Sequence, residues 1–222
     1  MTPAQAVRGW SELFKRNGRR EDPVAPPVAA AAAADALTTS KVLPRFLAAL
    51  AHQPAPVILD LGPVVGANIA FFGERLSCKI HVEDVFADVE RLAQLGDRAG
   101  LGACVATRLT QVPATIDGIL CWDLFDFLDK PTGQALARKL AGLLRPGGAL
   151  YGCFGTTPIE LHHYTRSFIE SADTLRQRPY AATPVRRTVL LTRDIIKMFD
   201  GLVVAESVLL KSSTRETLFR RP

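Results

Sequence analysis

Metal chemistry finds little to work with in this sequence. Its four histidines include no HExxH or similar spacing, and its four cysteines (Cys78, Cys104, Cys121 and Cys153) are far apart and form no CxxC pair. Neither a metal site nor a disulfide frame is expected. Cys78, Cys121 and Cys153 sit in or beside apolar runs and read as reduced, mostly buried thiols of a cytosolic protein. Long apolar runs are missing too. The opening stretch, MTPAQAVRGWSELFKRNGRRED, has no apolar core of the length a secretory signal needs. The alanine run Ala29 to Ala34 is short, weakly apolar and ended by Asp35, so it does not span a bilayer. A cytoplasmic protein without membrane contact is the expectation. Of the 222 residues 48% are hydrophobic and 22% charged, a composition that folds rather than stays disordered. A net charge of +5 is a modest excess that suits a solvated surface, and nucleic acid is not the expected partner.

What is present is an alternation of short apolar runs and helical stripes. Residues 3–17 place Ala6, Trp10, Leu13 and Phe14 on one stripe of an amphipathic helix, and DPVAPP (Asp22 to Pro27) marks a linker. Residues 1–35 are therefore read as an N-terminal helix and Pro/Ala-rich linker, and residues 36–222 as the main domain. Ser40 to Ala51 reads as a helix bent at Pro44. PVILDL (Pro56 to Leu61) suits a buried parallel strand, Asn68 to Leu76 a helix, Lys79 to Glu83 a second strand and Val85 to Leu95 a second helix. Ala103 to Leu109 is taken as a third strand, Ile116 to Trp122 as a fourth and Ala149 to Phe154 as a fifth. Thr132 to Leu144 is helical, with Pro131 at its start and RPGG at its stop. Residues 156–190 form an insertion longer than a plain connection, read as a lid. In it Tyr164, Phe168, Ala172 and Leu175 fall at helical spacing. The tail reads as a helix from Thr192 closed by Gly201, then two strands, Leu202 to Leu210 and Glu216 to Arg220, around a KSSTR turn. Strands alternating with helices predict an α/β fold with a parallel sheet, to which this hairpin is added.

Four stretches in order, ILDLGPVVG, HVED, IDGILCWD and LLRPGGAL, together with the terminal hairpin, resemble the class I S-adenosylmethionine-dependent methyltransferases. The resemblance covers about Pro56 to Pro222. It implies a Rossmann-like, seven-stranded, mostly parallel sheet with a C-terminal antiparallel β-hairpin and helices on both faces. It also implies S-adenosyl-L-methionine as cofactor, lying across the strand ends where the strand order reverses. Gly62 and Gly66 would let backbone approach the ligand. Asp60 would orient the turn, and Glu83, with Asp84 as its neighbour, would hold the ribose hydroxyls. Trp122 and Asp123 would face the reacting methyl group, although Asp123 equally suits a helix cap. His162, His163 and Tyr164 are the candidates to orient or deprotonate an acceptor; a surface helix, with Tyr164 in the core, explains them as well.

The sequence departs from that pattern twice. Val64 stands where the family carries its central turn glycine, and Arg108 stands near the position of an acidic adenine contact. Val64 is tolerable if Pro63 turns its side chain into the core. A nicotinamide-binding domain would need G-x-G-x-x-G, and Val64 breaks that fingerprint. CWDLFDF replaces the Asn/Asp-Pro-Pro-aromatic motif of adenine-N6 methylation, which leaves a small-molecule acceptor as the default. The arginines of the insertion (Arg166, Arg176, Arg178, Arg186, Arg187) suggest an anionic one. The competing expectation is a non-catalytic binding or assembly module of the same fold.

Overall fold

The computed structural model describes residues 35–97, 100–180 and 183–222. The N-terminal helix and the linker expected before Asp35 lie outside them. Apolar residues recurring every second position build the centre of the domain. In β4 (Ile116–Trp122) Ile119 and Cys121 face one buried cluster, while Leu120 and Trp122 face another. β2 (Val57–Asp60) divides in the same way, with Leu59 on the first side and Ile58 on the second. Such strands are buried on both faces, as a parallel sheet sandwiched by helices requires.

The sheet has six strands in the order β3-β2-β4-β5-β9-β8, where β3 is Lys79–Val82, β5 Leu144–Gly155, β8 Val203–Leu209 and β9 Thr214–Arg220. β3, β2, β4 and β5 run parallel; β9 is antiparallel to β5 and to β8. α1 (Leu43–Ala51) and α2 (Gly66–Leu76) supply the cluster on one face, through Leu43, Phe46 and Phe72. α3 (Val85–Leu95), α4 (Leu101–Arg108), α5 (Lys130–Leu143) and α6 (Thr192–Met198) supply the other. Helices thus cover both faces, and the terminal hairpin is present.

Three expectations are corrected. Among the described residues the sheet has six strands rather than seven, because Ala103 to Leu109 belongs mostly to α4, where Leu101, Val105 and Leu109 are buried four residues apart. That spacing fits one helix face, and it outweighs the β-preference of Val105 and Thr107. Pro44 lies in the first turn of α1 and starts that helix rather than bending it. RPGG stops no helix by a separate turn: it is the irregular opening of β5, with Gly147 at φ +79°.

The insertion also differs from its helical reading. Thr165–Ile169 (β6) and Thr174–Pro179 (β7) form an antiparallel hairpin, and β1 (Ala36–Thr39) pairs with β7 to make a separate three-stranded sheet. Asn68 ties this sheet to α2. Its buried amide donates to the Ser167 carbonyl at 2.8 Å and accepts from the Ile169 N–H at 2.9 Å. Ile169 and Leu175 then pack into the α1/α2 cluster.

Candidate functional site

Strand order reverses between β2 and β4: β3 lies beyond β2 on one side, while β5 lies beyond β4 on the other. Open α/β sheets bind ligands outside the carboxyl ends of the strands at such a point. Here those ends carry Asp60, Gly62, Trp122 and Asp123.

Asp60 is buried, with one oxygen accepting two hydrogen bonds, from the Gly62 N–H at 2.9 Å and from the Trp122 indole Nε1–H at 2.7 Å. Burial pushes its carboxyl up to about 6 against the lowering effect of those two donors. Trp122 has φ +50°, a left-handed backbone conformation that costs a β-strand aromatic ~1–2 kcal/mol. The indole lies directly on the glycine turn. A Cβ at Gly62 would sit 2.6 Å from Trp122 Cδ1 and 2.7 Å from Nε1, so glycine is required for this approach. Gly66, the first residue of α2, has open space where a Cβ would stand.

Val64 does not enter the core. It is 58% exposed, and its neighbour Val65 is the buried one. The side chain that fills the hollow over the turn is therefore the indole of Trp122 and not the valine.

At the end of β3, Glu83 takes a hydrogen bond from Gln111 Nε2 on Oε1 at 2.7 Å. Asp84 caps α3 by accepting from the Ala87 N–H at 3.0 Å. Arg108 pairs with Asp88 at 2.7 Å, which directs its guanidinium to α3. Asp84 also lines an open hollow of about 230 Å3 with Pro63, Tyr164, Arg166 and Tyr180. Tyr164 and Tyr180 stack there with ring centres 4.8 Å apart, and the Arg166 guanidinium lies 4.2 Å from the Tyr180 ring centre.

A second space of about 100 Å3 lies at the ends of β4 and β5, lined by Trp122, Asp123, Asp126, His162, Thr165 and Gln177, among others. Asp123 caps nothing with its side chain, and its Oδ1 is buried without a hydrogen-bond partner. Burial, reinforced by the nearby Asp126, raises its carboxyl to about 8. Asp126 accepts the Gly155 N–H at 3.0 Å and pairs with Arg187 Nε at 3.1 Å. Burial takes it to about 7 against the pull of both partners. A Cβ on Gly155 would stand 2.5 Å from Arg187 Nε, so this glycine admits the guanidinium. His162 stacks on Phe127 at 4.8 Å, and burial together with Arg187 lowers it to about 4, leaving it a neutral ring at neutral pH.

The expected residues thus divide. Trp122, Asp123 and His162 share the smaller space at the ends of β4 and β5, whereas Tyr164 is buried against Phe86 and Tyr180 beside the open hollow. His163 lines neither space, and its Nδ1 is buried without a partner. Asp126 carries no role in the sequence reading. The acid within the apolar run LFDF, three residues after Asp123, is the signal that marks it: one turn of 3-10 helix from Leu124 to Phe127 brings both acids to one cavity. Among the described residues no three His, Cys, Asp or Glu side chains group as metal ligands. None of the described helices is long and apolar enough to cross a membrane.

No family model matches the chain, and no curated protein does. Solved structures similar to it include the PH0226 protein from Pyrococcus horikoshii OT3 (14% identity, TM-score 0.48, 76% of this chain and 82% of that one). A second is an S-adenosylmethionine-dependent methyltransferase from Clostridium acetobutylicum (12%, 0.47, 83% and 92%). A third is 1,6-didemethyltoxoflavin-N1-methyltransferase from Burkholderia thailandensis with bound 1,6-didemethyltoxoflavin and S-adenosylhomocysteine (16%, 0.46, 82% and 79%). At these scores the likenesses carry no functional weight.

Proposed function

We propose that this chain is an S-adenosylmethionine-dependent methyltransferase acting on a small-molecule acceptor, with the β6–β7 hairpin as the lid of its site. The observation that carries the reading is the convergence of Asp60, the Gly62 turn and the Asp123 carboxyl at the reversal of strand order. The residues fit a nucleoside cofactor. Gly62 already receives a flat ring against its backbone, and one oxygen of Glu83 has no hydrogen-bond partner among the described residues. Pro63 and Asp84 open onto the 230 Å3 hollow.

Bound there, S-adenosylmethionine supplies a methyl group on a sulfonium, ready for in-line displacement. The chain's own contribution is to hold and enclose. Glu83 and Asp84 accept hydrogen bonds from ribose hydroxyls, and Gly62 lets the backbone lie close. The hairpin, latched through Asn68, excludes water so that alignment of the reactants supplies much of the rate. The space at the ends of β4 and β5, about 100 Å3, is well below the ~300 Å3 at which ligand pockets begin, so an acceptor requires the hairpin to lift, and a ligand lying on the Gly62 backbone requires the indole to leave it.

One observation favours a second reading. Asp60, Gly62 and Trp122 satisfy one another without a ligand, as expected of a methyltransferase-like module that has lost its cofactor and serves in binding or assembly. Calorimetric titration with S-adenosylhomocysteine separates the two. Saturable heat that weakens at least about tenfold in Glu83→Ala supports the enzyme; absence of heat and of any thermal shift at millimolar ligand leaves only the module.

A further inference from the structure

In place of the expected third strand, α4 is followed by a loop, residues 109–115, that is held at both ends. Leu109 is buried in the core, and the Ala114 and Thr115 N–H groups donate to the Gly142 and Leu143 carbonyls at 3.0 and 3.1 Å. The loop carries Gln111 to the end of β3. There its amide Nε2 donates to Glu83 Oε1 at 2.7 Å, while its own Oε1 is buried with no hydrogen-bond partner among the described residues. Arg108, at the end of α4, is committed elsewhere, its Nε donating to Asp88 at 2.7 Å.

We propose that Gln111 is a positioning residue of the nucleoside site proposed above, on which this inference rests. It presents the free oxygen of Glu83 to a ribose diol, and so makes the site prefer ribosides to their deoxy forms. The bond to Glu83 is the single hydrogen bond that the Gln111 side chain makes among the described residues. A buried carbonyl without a donor costs stability, and a glutamine that served only the fold would ordinarily have both ends of its amide satisfied.

The direction of the amide is fixed. Turned over, it would set Oε1 against the Glu83 carboxylate, acceptor to acceptor. The neutrality of the donor matters as well. A guanidinium in its place would neutralise Glu83, whereas the amide leaves the carboxylate its full charge, and hydroxyls donate more strongly to an ion than to a neutral acceptor. With Oε1 tethered, Glu83 has given up rotamer freedom before a ligand arrives, so less ordering is left to the binding step.

The test is calorimetric titration at pH 7.5 with S-adenosylhomocysteine and with its 2′,3′-dideoxy analogue, which lacks the diol. The unaltered chain should bind the analogue at least about tenfold more weakly. Gln111→Met keeps the length of the side chain and removes the donor. It should weaken S-adenosylhomocysteine about three- to tenfold and leave the analogue unchanged, so that the preference for the diol narrows. Binding of the analogue also reports that the variant's site is folded. Glu83→Ala combined with Gln111→Met should bind S-adenosylhomocysteine no more weakly than Glu83→Ala alone. Equal losses for both ligands, a loss that adds fully to that of Glu83→Ala, or no loss at all overturns the inference and leaves the methyl-transfer reading standing. An unaltered chain that binds neither compound removes that reading, and the inference falls with it.

Discussion

Trp122 donates its indole Nε1–H to Oδ1 of Asp60 at 2.7 Å, and in doing so lays its ring across the glycine turn that follows β2. The bond gives a buried carboxyl its second donor, and it sets the indole as the occupant that a ligand must move. Trp122→Phe keeps an aromatic ring, removes that donor and leaves part of the indole's volume empty. Stability should fall by ~1–3 kcal/mol, the usual effect of leaving a buried acceptor short of a partner, read from urea denaturation at pH 7.5. Because the phenyl ring no longer holds to Asp60, S-adenosylhomocysteine should bind at least as tightly as to the unaltered chain.

Gly62→Ala tests the same contact from the other side. The new Cβ would stand 2.6 Å from Trp122 Cδ1, closer than real contacts allow, so the ring must shift. Overpacking of this kind costs ~1–3 kcal/mol, and the altered environment of Trp122 should appear in its fluorescence. An unchanged melting temperature and spectrum would show that the ring does not rest on Gly62.

Asn68 is the expected latch of the hairpin. Asn68→Ala deletes both its bonds to β6 and leaves the Ser167 carbonyl and the Ile169 N–H exposed or unpaired. Hydrogen exchange at residues 165–179 should quicken while the amides of β2 and β4 keep their protection. Equal acceleration across the whole sheet would mean that Asn68 supports the fold at large rather than the hairpin.

Stability should depend on pH through the buried acids. Asp60, Asp126 and Asp123 are raised to about 6, 7 and 8, above the ordinary carboxyl value of 3.8. Between 3.8 and 8 the folded state therefore holds protons that the unfolded chain has released, and stability falls as pH rises. His162, lowered from 6.5 to about 4, acts oppositely, adding stability as pH rises through that window. Above pH 6.5 the acids set the slope, joined toward pH 8.5 by the thiols of Cys121 and Cys153, which burial also raises. Denaturation midpoints should decline from pH 6.5 to 8.5, and the decline should be shallower in Asp123→Asn.

Much of the fold was legible because its centre obeys simple periods. Ile116 to Trp122 and Val85 to Leu95 have the boundaries the sequence implies, one through an unbroken apolar run and the other through a stripe closed by Gly96 at φ +68°. α4 was missed because Val105 and Thr107 favour strands individually, while the decisive fact, burial of Leu101, Val105 and Leu109 on one face, needs the neighbouring α3 and α5. The hairpin was hidden by an accident of spacing, since Tyr164, Phe168, Ala172 and Leu175 fit a helical stripe. The true signal was alternation: Ser167 and Ile169 are buried, while Arg166 and Phe168 stay half-exposed. In the site, the strand-end acids could be read from their positions. The closure of the Gly62 turn could not, because it depends on the left-handed backbone of Trp122, and nothing local in CWD encodes that conformation.

The most direct test of the central claim is a crystal structure grown with S-adenosylhomocysteine. The account predicts a nucleoside between Gly62 and Glu83, with the Trp122 indole turned away from the glycine. An indole still bonded to Asp60, with no ligand density at the ends of β2 and β3 under saturating conditions, would contradict it.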